Sequence, residues 1–289
     1  PVTLPKAWKE MVHRYVAGLL GLLVVIIAAI GWIKRPQLKQ SPALPITLLG
    51  LVIFQGLLGM WTVTLLLKPA LVTAHLLGGL TTLALLAWLA LRQFGDGIAT
   101  RIIAPRSTRS LAVIGLAVLA VQVALGGWVS ANDAALACSD FPLCQGMWVP
   151  DMDIGNAFHV VRELGMTAQG DLLTSEALTA IHWMHRVGAL ATVTVLGALA
   201  WRLVGTRNSG ALGMLVFATL TLQALLGIAN VYLRVPLALA VAHNAGAALL
   251  VIVLVGVNFS LHRARHGAEG GAAKAIASPQ PNEQNALGP

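Results

Sequence analysis

Four histidines stand out, because each lies near the start of a long apolar run. His13 is followed by Arg14 and His185 by Arg186, while His75 and His243 occupy the runs that come two further on. An ionisable side chain inside a membrane-length apolar segment is expensive and tends to carry function. Two imidazoles at one depth on neighbouring helices can hold a single iron from opposite sides, the bis-imidazole arrangement of haem. The competing readings are a hydrogen-bonded packing histidine at each place and a structural zinc site. Zinc ligands come as closely spaced Cys and His clusters, and the chain has none. His159, His262 and His266 lack repeat partners and read as surface residues.

Other polar groups gather around the same four positions. Glu10 precedes His13 by three residues, which puts both on nearly one helical face. Its carboxylate is a candidate for chemistry beside that histidine; the plainer reading is a first-turn acid favoured by the helix dipole. Before His185 the corresponding residue is His182, so the two surroundings are chemically unequal. Arg14 and Arg186 suit the anionic propionates of a porphyrin, or serve as interfacial anchors. Cys138 and Cys144 are the only cysteines, with five residues between them. A short-loop disulfide is expected if they face an oxidising compartment. So small a loop adds little chain-entropy stabilisation, which leaves a redox or haem-handling role beside that of a plain staple.

The elements that position these residues are membrane-spanning helices. Of 289 residues, 57% are hydrophobic and 10% charged. Apolar runs of about 20 residues recur at 12–33, 44–66, 69–91, 110–131, 178–201, 210–232 and 235–261. Basic residues concentrate in alternate connections: Lys34, Arg35 and Lys39; Arg92, Arg101, Arg106 and Arg109; Arg202 and Arg207; then Arg263, Arg265 and Lys274. By the positive-inside rule the N-terminus lies outside, the C-terminus inside, and connection 132–177 outside. This distribution also explains the net charge of +8 without a nucleic-acid partner. The first, third, fifth and seventh runs then share one direction, so all four histidines fall in the outer part of the membrane.

The halves repeat. Gln55-x-x-x-Gly59 and His75 recur 168 residues later as Gln223-x-x-x-Gly227 and His243, and His13-Arg14 recurs 172 later as His185-Arg186. The first three runs thus match the last three, and the fourth is left without a counterpart. The expectation is an all-α integral membrane protein of two pseudo-repeated four-helix bundles, with the first helix of the first bundle lying upstream of this chain. Residues 1–108 form the first half with one histidine pair, 109–262 the second with the other, and 263–289 a disordered cytoplasmic tail. No phosphate-binding loop or partnered serine nucleophile points to a pump or hydrolase.

With these residues in hand, the chain resembles the haem A synthase family. The resemblance rests on Glu10-Met-Val-His13-Arg14, the His75 and His243 segments, His185-Arg186 and the cysteine pair, and covers about residues 6 to 262. It implies an inner-membrane oxidoreductase that oxidises a ring methyl of haem O to a formyl group, through successive hydroxylations and loss of water. In that picture His13 and His75 frame the substrate haem O, Arg14 assists, Glu10 is the catalytic carboxylate, and His185 and His243 ligate the iron of a haem b cofactor. Haem O synthase and cytochrome c oxidase assembly factors are the partners implied, beside membrane lipid.

Two other functions remain: a dihaem cytochrome b that transfers electrons, and a non-enzymatic haem carrier. Electron transfer across a membrane favours haems near opposite faces, whereas all four histidines are expected at one depth. A carboxylate beside only one pair favours one substrate haem and one cofactor haem.

Overall fold

A computed structural model describes residues 4–38, 40–98, 102 and 104–277. Among them there is no strand, and seven helices are long and apolar enough to cross a membrane. They are α1 (Leu4–Ile33), α2 (Ala43–Thr64), α3 (Pro69–Ile98), α4 (Arg106–Ala131), α5 (Ser175–Val204), α6 (Gly210–Tyr232) and α7 (Leu237–Ala277). In lipid the backbone must satisfy its own hydrogen bonds, which is why apolar runs of this length become helices. The chain is a multi-pass membrane protein.

Helix ends extend past the apolar runs where polar first turns continue the ladder. Thr174 caps α5 by accepting from the Ala177 amide, so that helix begins before the apolar run at 178. α7 continues to Ala277, beyond position 263, where disorder was expected. An Ala-rich segment that prolongs an existing helix needs no new nucleation. Residues 278–289 of the expected tail lie outside the described residues.

Neighbour relations define the layout. α4 packs on α5, α5 on α6, α6 on α7 and α7 back on α4, which closes a four-helix bundle with α5 and α7 at opposite corners. In the first half α2 packs between α1 and α3. α3 also lies against α4 and α7 and joins the halves. Leu119, Leu196, Leu199, Leu220, Leu250 and Leu254 fill the second bundle's core, with Trp88 and Leu91 of α3 packed against it. A smaller cluster of Val24, Leu48 and Leu89 ties α1, α2 and α3 together.

The repeat extends to the backbone of two tight turns. Leu66 and Leu67 between α2 and α3 have φ of 53° and 57°, and Arg234 and Val235 between α6 and α7 have 56° and 55°. Both turns close through the same bonds, Leu67 N–H to the Thr62 carbonyl at 2.9 Å and Val235 N–H to the Asn230 carbonyl at 2.8 Å. Left-handed geometry costs a non-glycine residue about 1–2 kcal/mol. Two such residues in succession, one of them β-branched, mark each turn as imposed by the packing of its helices.

Candidate functional site

Each histidine occupies a matching place on its helix. His75 lies six residues into α3 and His243 six residues into α7, while His13 and His185 lie within the first turns of α1 and α5. Because odd-numbered helices share a direction, the four imidazoles stand at one end of the molecule. The His13 and His75 rings are neighbours in an edge-on arrangement, with centroids 6.4 Å apart and planes at 83°. With metal–imidazole bonds of about 2 Å, two axial imidazoles on one metal place their centroids about 6 Å apart. This pair is therefore spaced for a single iron. His185 and His243 project from opposite corners of the second bundle and lie within charge–charge range of one another.

Glycines make the room for three of these rings. A Cβ on Gly59 would stand 3.2 Å from His75 Cε1, one on Gly126 3.1 Å from His185 Cε1, and one on Gly227 3.2 Å from His243 Cε1. Each of these glycines lies on the helix preceding its histidine and four residues after a glutamine: Gln55, Gln122 and Gln223. The glutamines in turn lie over Gly78, Gly188 and Gly246, each three residues after a histidine, where a Cβ would overlap the amide. Gln-x-x-x-Gly on one helix thus interlocks with His-x-x-Gly on the next, ring into notch and amide into notch. The sequence comparison recovers this pattern at Gln55 and Gln223 and misses its third occurrence at Gln122-x-x-x-Gly126. At His13 the residue three further on is Val16, so no such notch exists there.

The polar bonding of the two pairs differs. Gln122 Nε2 lies 3.1 Å from His185 Nδ1 and donates to the His185 carbonyl at 3.1 Å. Gln223 Nε2 lies 3.3 Å from His243 Nε2. Buried side-chain atoms left without a partner include His75 Nδ1, His243 Nδ1, both amide atoms of Gln55, and the amide oxygens of Gln122 and Gln223. Orphaned buried groups of this kind call for an explanation such as a bound group. Unpaired ring nitrogens between paired helices suit a porphyrin iron, which asks the protein for two axial ligands. Among the described residues no three His, Cys, Asp or Glu side chains gather around a point that would hold a bare metal ion.

Glu10 and Arg14 form an ion pair one helical turn apart on α1, both about half exposed. The first-half candidates His13, Glu10 and Arg14 thus lie together on one stretch of helix with His75 opposite. His182, the counterpart of Glu10, is only 5% exposed, and its Nδ1 lies 3.1 Å from the Ala134 carbonyl. It anchors the outer connection rather than facing open space.

Cys138 and Cys144 are joined in a disulfide. Arg186 clamps the loop they close: its two terminal nitrogens donate to the carbonyls of Cys138 at 2.8 Å, Asp140 at 2.8 Å and Leu143 at 2.7 Å. Its buried Nε has no partner. The Asp140 carboxylate accepts from the Gly146 and Gln145 amides, at 2.8 and 2.7 Å. Those bonds, the Gly146 amide first among them, hold its pKa below the usual carboxylate value.

Deeper in the connection Arg162 is 5% exposed and bonds to Asn132 Oδ1 at 2.7 Å and to the carbonyls of His159 and Met166. Burial pushes its pKa down. Glu163 pairs with Lys68 of the α2–α3 turn at 2.8 Å, which links this cover to the first half. Further along α7 and α3, away from both pairs, the His262 ring packs 5.7 Å from Trp88.

Fold and site together define a polytopic helical membrane protein with two pairs of imidazoles set across its bundles at one depth. A sequence profile of the cytochrome oxidase assembly protein family (COX15-CtaA) matches residues 2–255, and the chain belongs to that family. It is 43% identical to a haem A synthase of Shewanella oneidensis over 257 residues, 89% of this chain and 77% of that protein. It is also 31% identical to one of Caulobacter vibrioides, over 89% of this chain and 74% of the relative, and 32% identical to one of Shouchella clausii, over 75% and 73%.

Proposed function

We propose that this protein is a haem A synthase, an oxidoreductase that converts a ring methyl of haem O to a formyl group and so supplies haem A to cytochrome c oxidase. The observation that carries the reading is the neighbouring His13–His75 pair, with Glu10 one turn before His13 on the same helix. His13 and His75 hold the substrate haem O. Glu10 is the catalytic carboxylate, placed to take or return a proton at the edge of the porphyrin. Arg14 steadies that carboxylate, and its remaining N–H groups suit a propionate.

His185 and His243 are the residues that would hold a resident haem b between α5 and α7. Haem b, when bound, supplies one-electron transfer to or from the reaction. The second bundle's residues keep that group in place: Gly126 and Gly227 give the rings room, and Arg186 fixes the loop above them. The oxidation of the methyl by successive hydroxylations and loss of water belongs to this proposal. So do the placement of both sites toward the outer face of a bacterial inner membrane, a cytoplasmic C-terminus, and contacts with haem O synthase or oxidase assembly factors. The dihaem cytochrome reading is not favoured by the relatives or by the shared depth of the pairs.

The test is to express the full-length protein with a haem O synthase, purify it and identify its haems by mass. Haem A together with haem b is expected, and haem b alone in both sites would refute the enzyme.

A further inference from the structure

We propose that Gln122 and Gln223 are positioning residues that orient the iron-ligating imidazole of the helix facing each one. The argument rests on the reading of the histidine pairs as haem ligands and adds what sets their orientation.

Three features converge on it. Each glutamine lies over a glycine of the histidine's own helix, in a notch that a side chain would fill, and the histidine lies over a glycine four residues after the glutamine. The amide and the ring are therefore brought together by backbone approach. Next, the amide reaches a ring nitrogen, at 3.1 Å from Gln122 to His185 and 3.3 Å from Gln223 to His243. Finally, the amide oxygen of each is buried and has no partner.

An imidazole that gives one nitrogen to a metal carries its proton on the other, and that N–H needs an acceptor. A buried amide oxygen beside the ring is such an acceptor, reached by turning the amide over in its notch, which at Gln122 gives up the bond from its nitrogen to the His185 carbonyl. A glutamine carries donor and acceptor at one tip, so it serves the ring in both states: its nitrogen faces the metal-free tautomer and its oxygen the ligating one. Packing alone does not require an amide at these positions, because a leucine has nearly the same volume and no desolvation cost.

The experiment uses the full-length protein with its resident haem and compares Gln122→Leu and Gln122→Glu with the parent, then repeats the series at Gln223. A stronger acceptor on the ring N–H makes the imidazole a better donor and stabilises ferric iron; loss of the acceptor does the reverse. Gln122→Leu is expected to hold haem about 10–100-fold more weakly and to raise its midpoint potential, and Gln122→Glu to lower that potential. Unchanged potentials in both variants, or shifts of the same sign, would overturn the proposal. Should the leucine variant fail to fold, the near-isosteric Gln122→Glu decides alone, since an unchanged potential there refutes it. His185→Ala and His243→Ala test the underlying reading separately: a haem spectrum indifferent to both would refute the ligand assignment, whatever the glutamine variants do.

Discussion

The two histidine pairs are copies in placement and opposites in setting. Around His13 and His75 the structure puts an exposed Glu10–Arg14 pair and, at Val16, a side chain in the place of the notch glycine. Around His185 and His243 it puts a disulfide-closed loop clamped by Arg186, a buried His182 bonded to the Ala134 carbonyl ahead of that loop, and a glutamine in a notch beside each ring. In the reading proposed above, the first pair is the reaction site and the second holds the resident haem.

The sharpest test of the contrast is Glu10→Gln. It should leave haem in both pairs and cut formation of the formyl product by about 10²–10⁴-fold, the span of a general acid or base. Wild-type turnover measured by haem mass would remove Glu10 from the chemistry. The next largest effect is expected from filling the notches. Gly227→Leu and Gly126→Leu drive side chains into rings already at 3.2 and 3.1 Å, so each should expel the resident haem while haem O still binds the first pair. Retention of haem b in both variants would show that these glycines do not shape the site.

The clamp comes next in size. Arg186→Ala leaves carbonyls of the disulfide loop without a partner and should lower thermal stability in detergent by about 1–3 kcal/mol. Arg14→Ala, which removes an exposed pair, should cost less than about 1 kcal/mol. Equal losses would erase the contrast between the halves.

The smallest effect concerns Asp140, whose pKa is depressed in the folded protein, chiefly by the Gly146 amide and also by that of Gln145. Its ionised form stabilises the loop at pH values above the ordinary value of 3.8, and that contribution is lost as pH falls through the depressed value. Asp140→Asn should therefore flatten the acid limb of the stability curve and leave neutral pH little changed. An unaltered acid limb would exclude Asp140 from the pH response.

Much of this was legible in the residues. Apolar runs locate all seven spans because lipid leaves the backbone no alternative, and the repeat distance pairs each histidine with its partner helix. What escaped were features that depend on an interrupted distance or on tertiary reach. Gln223 lies 20 residues from His243 across a tight turn, but Gln122 lies 63 from His185 because the outer connection intervenes. A search at one fixed offset passes over the second spacing although the interlock is the same. The charge of Arg186 is plain in the sequence, but the three carbonyls that the folded loop presents to it are not. The burial of His182 and Arg162 was hidden for the same reason: each is enclosed by residues distant along the chain.

The left-handed turns at Leu66–Leu67 and Arg234–Val235 have a consequence for biogenesis. Two spans joined so tightly are held side by side as a hairpin, with glutamine and histidine close to register from the outset. α4 and α5, separated by the long outer connection, can insert apart and must find each other laterally. The His75 and His243 seats are thus complete on insertion, whereas the His185 seat forms only when α4 and α5 meet. In the haem reading proposed above, the second site is complete only after that last encounter.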